Sequence, residues 1–184
     1  MLIDNREGLV AIDGVNGEAV DSAARGLARE NRKRKAAVSG WDASGIFGEL
    51  TIAEQDAGLP SARTLILLYA ADLAFRLRWE VKPALAEGRM VIVAPYLSTA
   101  IAFGRAAGLD ARSLSEMFAF APEPAESRIV DAAAARSLSD RTGFVEFACD
   151  QLVGGESKAA RRELIVRAAR TLKTMAIVGR RRTR

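Results

Sequence analysis

The chain has no histidine among its 184 residues. That excludes every catalytic triad built on an imidazole base and every metal site ligated by histidine. It has one cysteine, Cys149, so no internal disulfide can form. Cys149 lies in the apolar run FVEFACDQLV and reads as a small core residue rather than a nucleophile. Aromatics make up only 6% of the chain, and few lie near its basic runs, so stacking on nucleic-acid bases has little support. The strongest apolar stretch, residues 65–71, is far too short to span a membrane. No charged segment followed by a long apolar core opens the sequence. No signal peptide is therefore expected, and a cytoplasmic protein is the simplest reading.

What is present resembles an ordinary globular domain, 49% hydrophobic and 27% charged. One domain over 1–184 is expected, large enough for a sizeable core. The net charge of +4 is carried largely by Arg32-Lys33-Arg34-Lys35 and by Arg180-Arg181-Arg182-Thr183-Arg184. Such runs bind nucleic acid or acidic lipid, but more often they are solvated surface or a flexible end; residues 180–184 are read as a flexible basic tail.

Short apolar runs at 9–12, 36–39, 89–93, 128–131 and 175–178 read as strands. Helical spacing appears over 18–30, 98–107, 113–120, 144–153 and 156–172, with another helix starting in 132–138. Residues 40–58 read mainly as loop, with a short helix near 46–55. The strongest helix is Ala62–Trp79, apolar on nearly every side and therefore either central or part of a subunit interface. Its pattern continues to Leu85 across Pro83, where a kink is expected, and Glu87-Gly88 stops it. Strands alternating with helices imply a parallel α/β sheet with helices on both faces.

The chemistry concentrates in residues 8–22, GLVAIDGVNGEAVDS, which read as strand, glycine turn and helix start. A phosphate-binding loop here needs G-x-x-x-x-G-K-[ST], whose backbone N–H groups, lysine and hydroxyl serve phosphate and Mg²⁺. Gly14 opens that pattern, but Ala19, Val20 and Asp21 stand where Gly, Lys and Ser/Thr belong. Gly14, Asn16 and Gly17 are candidates for holding an anion on backbone N–H groups; alternatively they only make a tight turn. Asp13, Glu18 and Asp21 crowd the place with negative charge, and Asp21 with Glu18 is too small a set for a metal.

The order of motifs resembles thymidylate kinase. The family's first turn, E-G-x-[DE]-G-x-G-K-S-T, is matched by Asp13-Gly14-Val15-Asn16-Gly17-Glu18-Ala19-Val20-Asp21-Ser22. Its L-L-F-A-A-D-R-A-x-H is similar to Leu67-Leu68-Tyr69-Ala70-Ala71-Asp72-Leu73-Ala74-Phe75-Arg76, and its P-A-L-x-x-G-x-x-V to Pro83-Ala84-Leu85-Ala86-Glu87-Gly88-Arg89-Met90-Val91. Its D-R-Y-x-x-S-x-x-A-Y-Q becomes Ala94-Pro95-Tyr96-Leu97-Ser98-Thr99-Ala100-Ile101-Ala102-Phe103-Gly104. The resemblance covers about Gly8 to Asp131; beyond it the family's arginine-bearing lid is not recognisable, although Arg136 and Arg141 lie nearby.

The resemblance implies a three-layer α/β/α sandwich of the P-loop NTPase type with a parallel sheet of about five strands. It also implies phosphoryl transfer from ATP to dTMP, and a homodimer through the Ala62–Trp79 region. The departures fall on the chemistry. The lysine is Val20, the Mg²⁺ hydroxyl is Asp21, the arginine after Ala-Asp is Leu73, the Asp-Arg pair is Ala94-Pro95, and the base-reading Gln is Gly104. Phosphoryl transfer depends on cations and positioning, so a catalytically inactive protein that acts by binding is expected. No catalytic residue, metal or cofactor is then assigned, and the partner is a second copy or another protein. The alternatives are a divergent phosphotransferase using ATP and Mg²⁺, its cations drawn from Arg76, Arg105 or the basic carboxy-terminal helix, and an adaptor for nucleic acid or another acidic partner. Tyr69 stands where the family stacks the thymine ring; it is either a stacking platform or core. Asp72, Arg76 and Tyr96 are further ligand candidates, with local pairing of Asp72 and Arg76 the competing reading. Trp41 is either an exposed contact residue or an anchor tucked onto the core.

Overall fold

A computed structural model describes residues 8–52, 58–130, 143–153 and 157–182. Its centre is a parallel sheet of four strands among the described residues: β1 (Leu9–Asp13), β2 (Ala37–Gly40), β3 (Val91–Ala94) and β4 (Glu126–Ile129), in the order β2-β3-β1-β4. Val10 pairs with Ile92 on one side and Glu126 on the other, and Val38 pairs with Ile92. The two central strands are buried at every position, as strands covered on both faces must be. The edge strands carry Ser39, Glu126, Ser127 and Arg128, and polar edges discourage pairing with other chains.

Alternation along the strands divides the core into two layers. Val10, Ile12, Ile92 and Ala94 face α1 (Gly17–Glu30), which buries Val20, Ala24 and Leu27 against them. Leu9, Ala11, Val91 and Val93 face the larger layer. That layer contains α2 (Ile46–Ile52), α3 (Ala62–Arg76), α5 (Leu97–Ala106), α6 (Ala111–Met117), α7 (Phe144–Val153) and α8 (Lys158–Arg182). A short α4 (Lys82–Ala86) continues the line of α3. The result is the expected α/β/α sandwich.

Two expectations change. Residues 175–178 are helical within α8, not a fifth strand. The apolar run there continues the spacing of Leu164, Ala168 and Leu172, which are buried on one helix face, and Met175 packs beside them. The basic segment 180–182 also has helical backbone. The long apolar helix breaks sooner than expected, because α3 ends at Arg76 and passes through a π turn, Leu77–Val81. Pro83, two residues beyond, has no N–H and its ring crowds the carbonyl one turn back, so the wider turn absorbs the strain. The helix expected to start in 132–138 and most of the 140–143 loop lie outside the described residues.

Candidate functional site

The carboxyl ends of β1 and β3 form the crevice where the connections leave in opposite directions, β1 to β2 on one side and β3 to β4 on the other. Open α/β sheets bind ligands at such a switch point. A cavity of about 620 Å³ lies there. It is lined by Gly14, Val15, Gly17, Val20, Asp21 and Arg25 from the first turn and helix. Val38, Gly40 and Trp41, then Ala94, Pro95 and Thr99, and finally Gly143, Phe144 and Val145 complete the wall.

The turn after β1 is held by its own side chains. Asp13 ends the strand with 2% of its surface exposed. Its carboxylate accepts from the N–H groups of Tyr96 (2.9 Å), Ser98 (3.3 Å) and Thr99 (2.9 Å), and from the Thr99 hydroxyl (2.7 Å). It thereby caps α5 from another strand. Burial pushes the Asp13 carboxyl above its ordinary value, against the opposing hydrogen bonds from Thr99, Tyr96 and Ser98. Gly14 N–H donates to Thr99 Oγ1 at 3.0 Å. Asn16 is the N-cap of α1, its side-chain oxygen accepting from Ala19 N–H at 2.8 Å. Gly17 N–H donates to Glu146 Oε2, on the first turn of α7, at 3.0 Å. Gly143 N–H donates to the same oxygen at 2.8 Å, and Asn16 Nδ2 donates to Glu146 Oε1 at 3.3 Å.

Val20 brings no charge to this place. It is 3% exposed, packs in the α1 layer of the core, and lies so close to Gly14 that a Cβ there would meet it at 2.7 Å. Among the described residues Arg25 is the only base lining the cavity, and it pairs with Asp21 one turn away at 2.9 Å.

The other candidates are divided between the cavity and the core. Gly14, Gly17 and Trp41 line the cavity, and Asn16 caps the helix beside it. Trp41 is half-buried, an anchor as well as a wall, with ring centroids 5.0 Å from Phe47 and 5.6 Å from Phe147. Tyr69, Asp72, Arg76 and Tyr96 lie below the wall and are almost completely buried. Tyr69 donates its hydroxyl to Tyr96 O at 2.7 Å, and Tyr96 donates its own to Pro122 O at 2.6 Å. Burial pushes both phenols well above their usual range. Asp72 accepts from the N–H groups of Asp42 and Ser44 and from the Ser44 hydroxyl, which pins the loop carrying Trp41. Arg76 pairs with Asp72 at 2.9 Å and donates to Pro95 O at 3.1 Å. A Cβ on Gly104 would meet the Leu114 side chain at 2.8 Å, so a side chain there requires Leu114 to shift.

Comparison with known proteins agrees with this fold. A thymidylate kinase from Ehrlichia chaffeensis superposes with a TM-score of 0.61 at 14% identity, covering 91% of this chain and 85% of that one. The chain is thymidylate-kinase-like in fold. In sequence it is similar to a "probable thymidylate kinase" of Pyrococcus horikoshii, 38% identical over 72 residues, 39% of this chain and 35% of that protein. A thymidylate kinase of Xanthomonas campestris pv. campestris (strain B100) is 30% identical over 118 residues, 63% of this chain and 52% of the relative. The thymidylate-kinase-like chain thus spans a third to a half of the curated relatives it matches. No family model matches it.

Reading the sequence did not find Glu146, Phe144 or Thr99. Glu146 follows Gly143 by three residues, a helix-start spacing that signals a local cap. Nothing in that spacing points to Gly17, which lies 129 positions away.

Proposed function

We propose that this protein is a catalytically inactive relative of thymidylate kinase that acts by binding. The observation that carries the reading is Val20. It stands where the lysine of a phosphate loop belongs, buried in the core and packed on Gly14. The residues present do not suit ATP with Mg²⁺. The hydroxyl position is Asp21, the cavity's one base among the described residues is paired, and the Gly17 N–H serves a carboxylate. Among the described residues, a transition state that spreads negative charge over phosphoryl oxygens finds no unpaired cation lining the cavity. Arg76 is paired with Asp72 and, like Arg105, does not line the cavity.

The binding surface in this reading is the outer face of α3 and its π turn, and the partner is a second copy of the chain. Leu67, Phe75 and Trp79 are 49%, 39% and 62% exposed, and they fall with the exposed alanines 71 and 74 along one side of the helix. Large apolar side chains grouped in this way favour a protein partner. The free, buried thiol of Cys149 is at home in a reducing compartment, which supports a cytoplasmic location.

The test is an assay of dTMP phosphorylation with ATP and Mg²⁺ on the purified protein. The expected result is no turnover above a no-enzyme control. Turnover well above that control overturns the reading.

A further inference from the structure

We infer that α7 is a built-in occupant of the nucleotide place: the Glu146 carboxylate stands in for a phosphate and the Phe144 ring for a base. The inference deepens the reading above and rests on it. It concerns what occupies the anion and ring positions on the wall of the crevice, whereas the reading concerns whether the crevice performs chemistry.

Three observations converge. The first is electrostatic. Glu146 Oε2 accepts from Gly17 N–H at 3.0 Å and from Gly143 N–H at 2.8 Å, so one carboxylate oxygen joins the amino-terminal ends of α1 and α7. Two helix N-termini carry partial positive charge and repel, and an anion between them removes the repulsion. A phosphate oxygen would fill the same role at the α1 turn. Here the chain supplies the anion from within.

The second is steric. A Cβ on Gly17 would lie 2.4 Å from the Gly143 backbone, and a Cβ on Gly143 would lie 2.4 Å from Gly17 Cα. Bare backbone meets bare backbone, and this close approach is what carries Glu146 into the turn. A helix that merely capped itself would not need contact with Gly17.

The third lies two residues away, in the same first turn. The Phe144 ring centroid is 4.4 Å from that of Tyr69, the aromatic at the position where the family resemblance places thymine stacking. Phe144 is 1% exposed and also meets Phe103 at 5.5 Å and Phe47 at 5.9 Å. The first turn of α7 therefore presents an anion and a flat apolar ring together, the two groups a nucleoside monophosphate would bring.

An attached carboxylate competes at an effective concentration of about millimolar or above. Free anions should therefore bind the wild type at least about tenfold more weakly than a chain without Glu146. The experiment follows the thermal midpoint of the wild type, Glu146→Ala and Glu146→Gln during titration with inorganic pyrophosphate, with circular dichroism confirming that each is folded. The expected result is a rise of about 1 °C or less for the wild type and of roughly 4 °C for the folded variants at ten times the variants' dissociation constant. The rise should be accompanied by a change in Trp41 emission as Phe144 and Phe147 move away. Equal shifts in wild type and variants overturn the inference. So do folded variants that lose stability but gain no affinity, because Glu146 would then be a cap and nothing more. Hydrogen exchange at the Gly17 amide gives a reading that needs no variant. In the wild type it should be slow and unchanged by pyrophosphate, and a pyrophosphate-dependent change overturns the inference. dTMP turnover by the wild type would instead overturn the functional reading, whatever the anion titration shows.

Discussion

The Phe144 ring lies against Tyr69, centroid to centroid at 4.4 Å and tilted by 52°. One ring comes from the first turn of α7 and the other from the middle of α3. Between them they close the floor of the crevice at the carboxyl end of the sheet, and they link the aromatic group around Trp41 and Phe47 to Phe103 and Phe118. The same turn of α7 carries Glu146 to Gly17. Stability and access to the crevice are therefore tied to one short helix.

Gly17→Ala should be strongly destabilising. Its Cβ would overlap the Gly143 backbone at 2.4 Å, and backbone cannot step aside as a side-chain tip can. A loss of about 1–3 kcal/mol, typical of overpacking, is expected in urea denaturation. Gly26→Ala, where a Cβ meets nothing within 4 Å, is the control and should be neutral or slightly stabilising.

Asp72→Ala should cost about 3–5 kcal/mol, because it leaves the Arg76 guanidinium charged and fully buried without its partner. It also releases the N–H groups of Asp42 and Ser44, so the Trp41 loop should loosen. Denaturation midpoints report the first effect. Faster acrylamide quenching of Trp41 in a Trp79→Phe background reports the second.

Replacing both Phe75 and Trp79 with Asp should convert the proposed α3 dimer into a monomer. Both side chains are exposed in the single chain, so the substitutions remove contacts with a partner and little else. Light scattering coupled to gel filtration checks the mass, and an unchanged circular dichroism spectrum checks the fold. A wild type that is monomeric at about 100 μM would remove the α3 face as a self-association surface.

Stability should fall as pH rises above 9. Burial pushes the Cys149 thiol from 9.0 up to about 12, with Arg161 acting against burial and Asp150 and Glu146 adding to it. Between those values the unfolded thiol has lost its proton while the folded one keeps it. The folded state then binds more protons, so raising the pH favours unfolding. Tyr69 and Tyr96, raised from 10.0 by burial, extend the same trend above pH 10. Urea midpoints across this range should drop, and Cys149→Ala should delay the onset. Within the folded protein, Cys149 should resist thiol reagents at pH 8.

Much of the sheet was legible from the sequence. Residues 9–12 and 89–93 are short apolar runs bounded by glycine or by charge, and such runs are buried strands in an alternating α/β order. The helix over 18–30 was legible from its apolar spacing, and the structure starts it one residue earlier, at Gly17, with Asn16 as its N-cap. Residues 175–178 were misread, because a four-residue apolar run has no period of its own; packing on one face of α8 decides it. Asp72 and Arg76 could be paired by their spacing, but the loop that Asp72 pins could not be found that way.

The sequence by itself determined the loss of the loop's charged residues at Val20 and Asp21, and the absence of any histidine to take over. It also determined the alternation of strands and helices from β1 to β4, since that follows from residue identity and short-range period. Only the tertiary structure decided what occupies the crevice. Glu146 reaches Gly17 across 129 positions and Phe144 reaches Tyr69 across the sheet's larger layer, and no local pattern encodes a contact made by two backbones lacking Cβ atoms. Those contacts form because packing α7 against α1 and α3 buries apolar rings, and the carboxylate offsets the repulsion between the helix ends brought together.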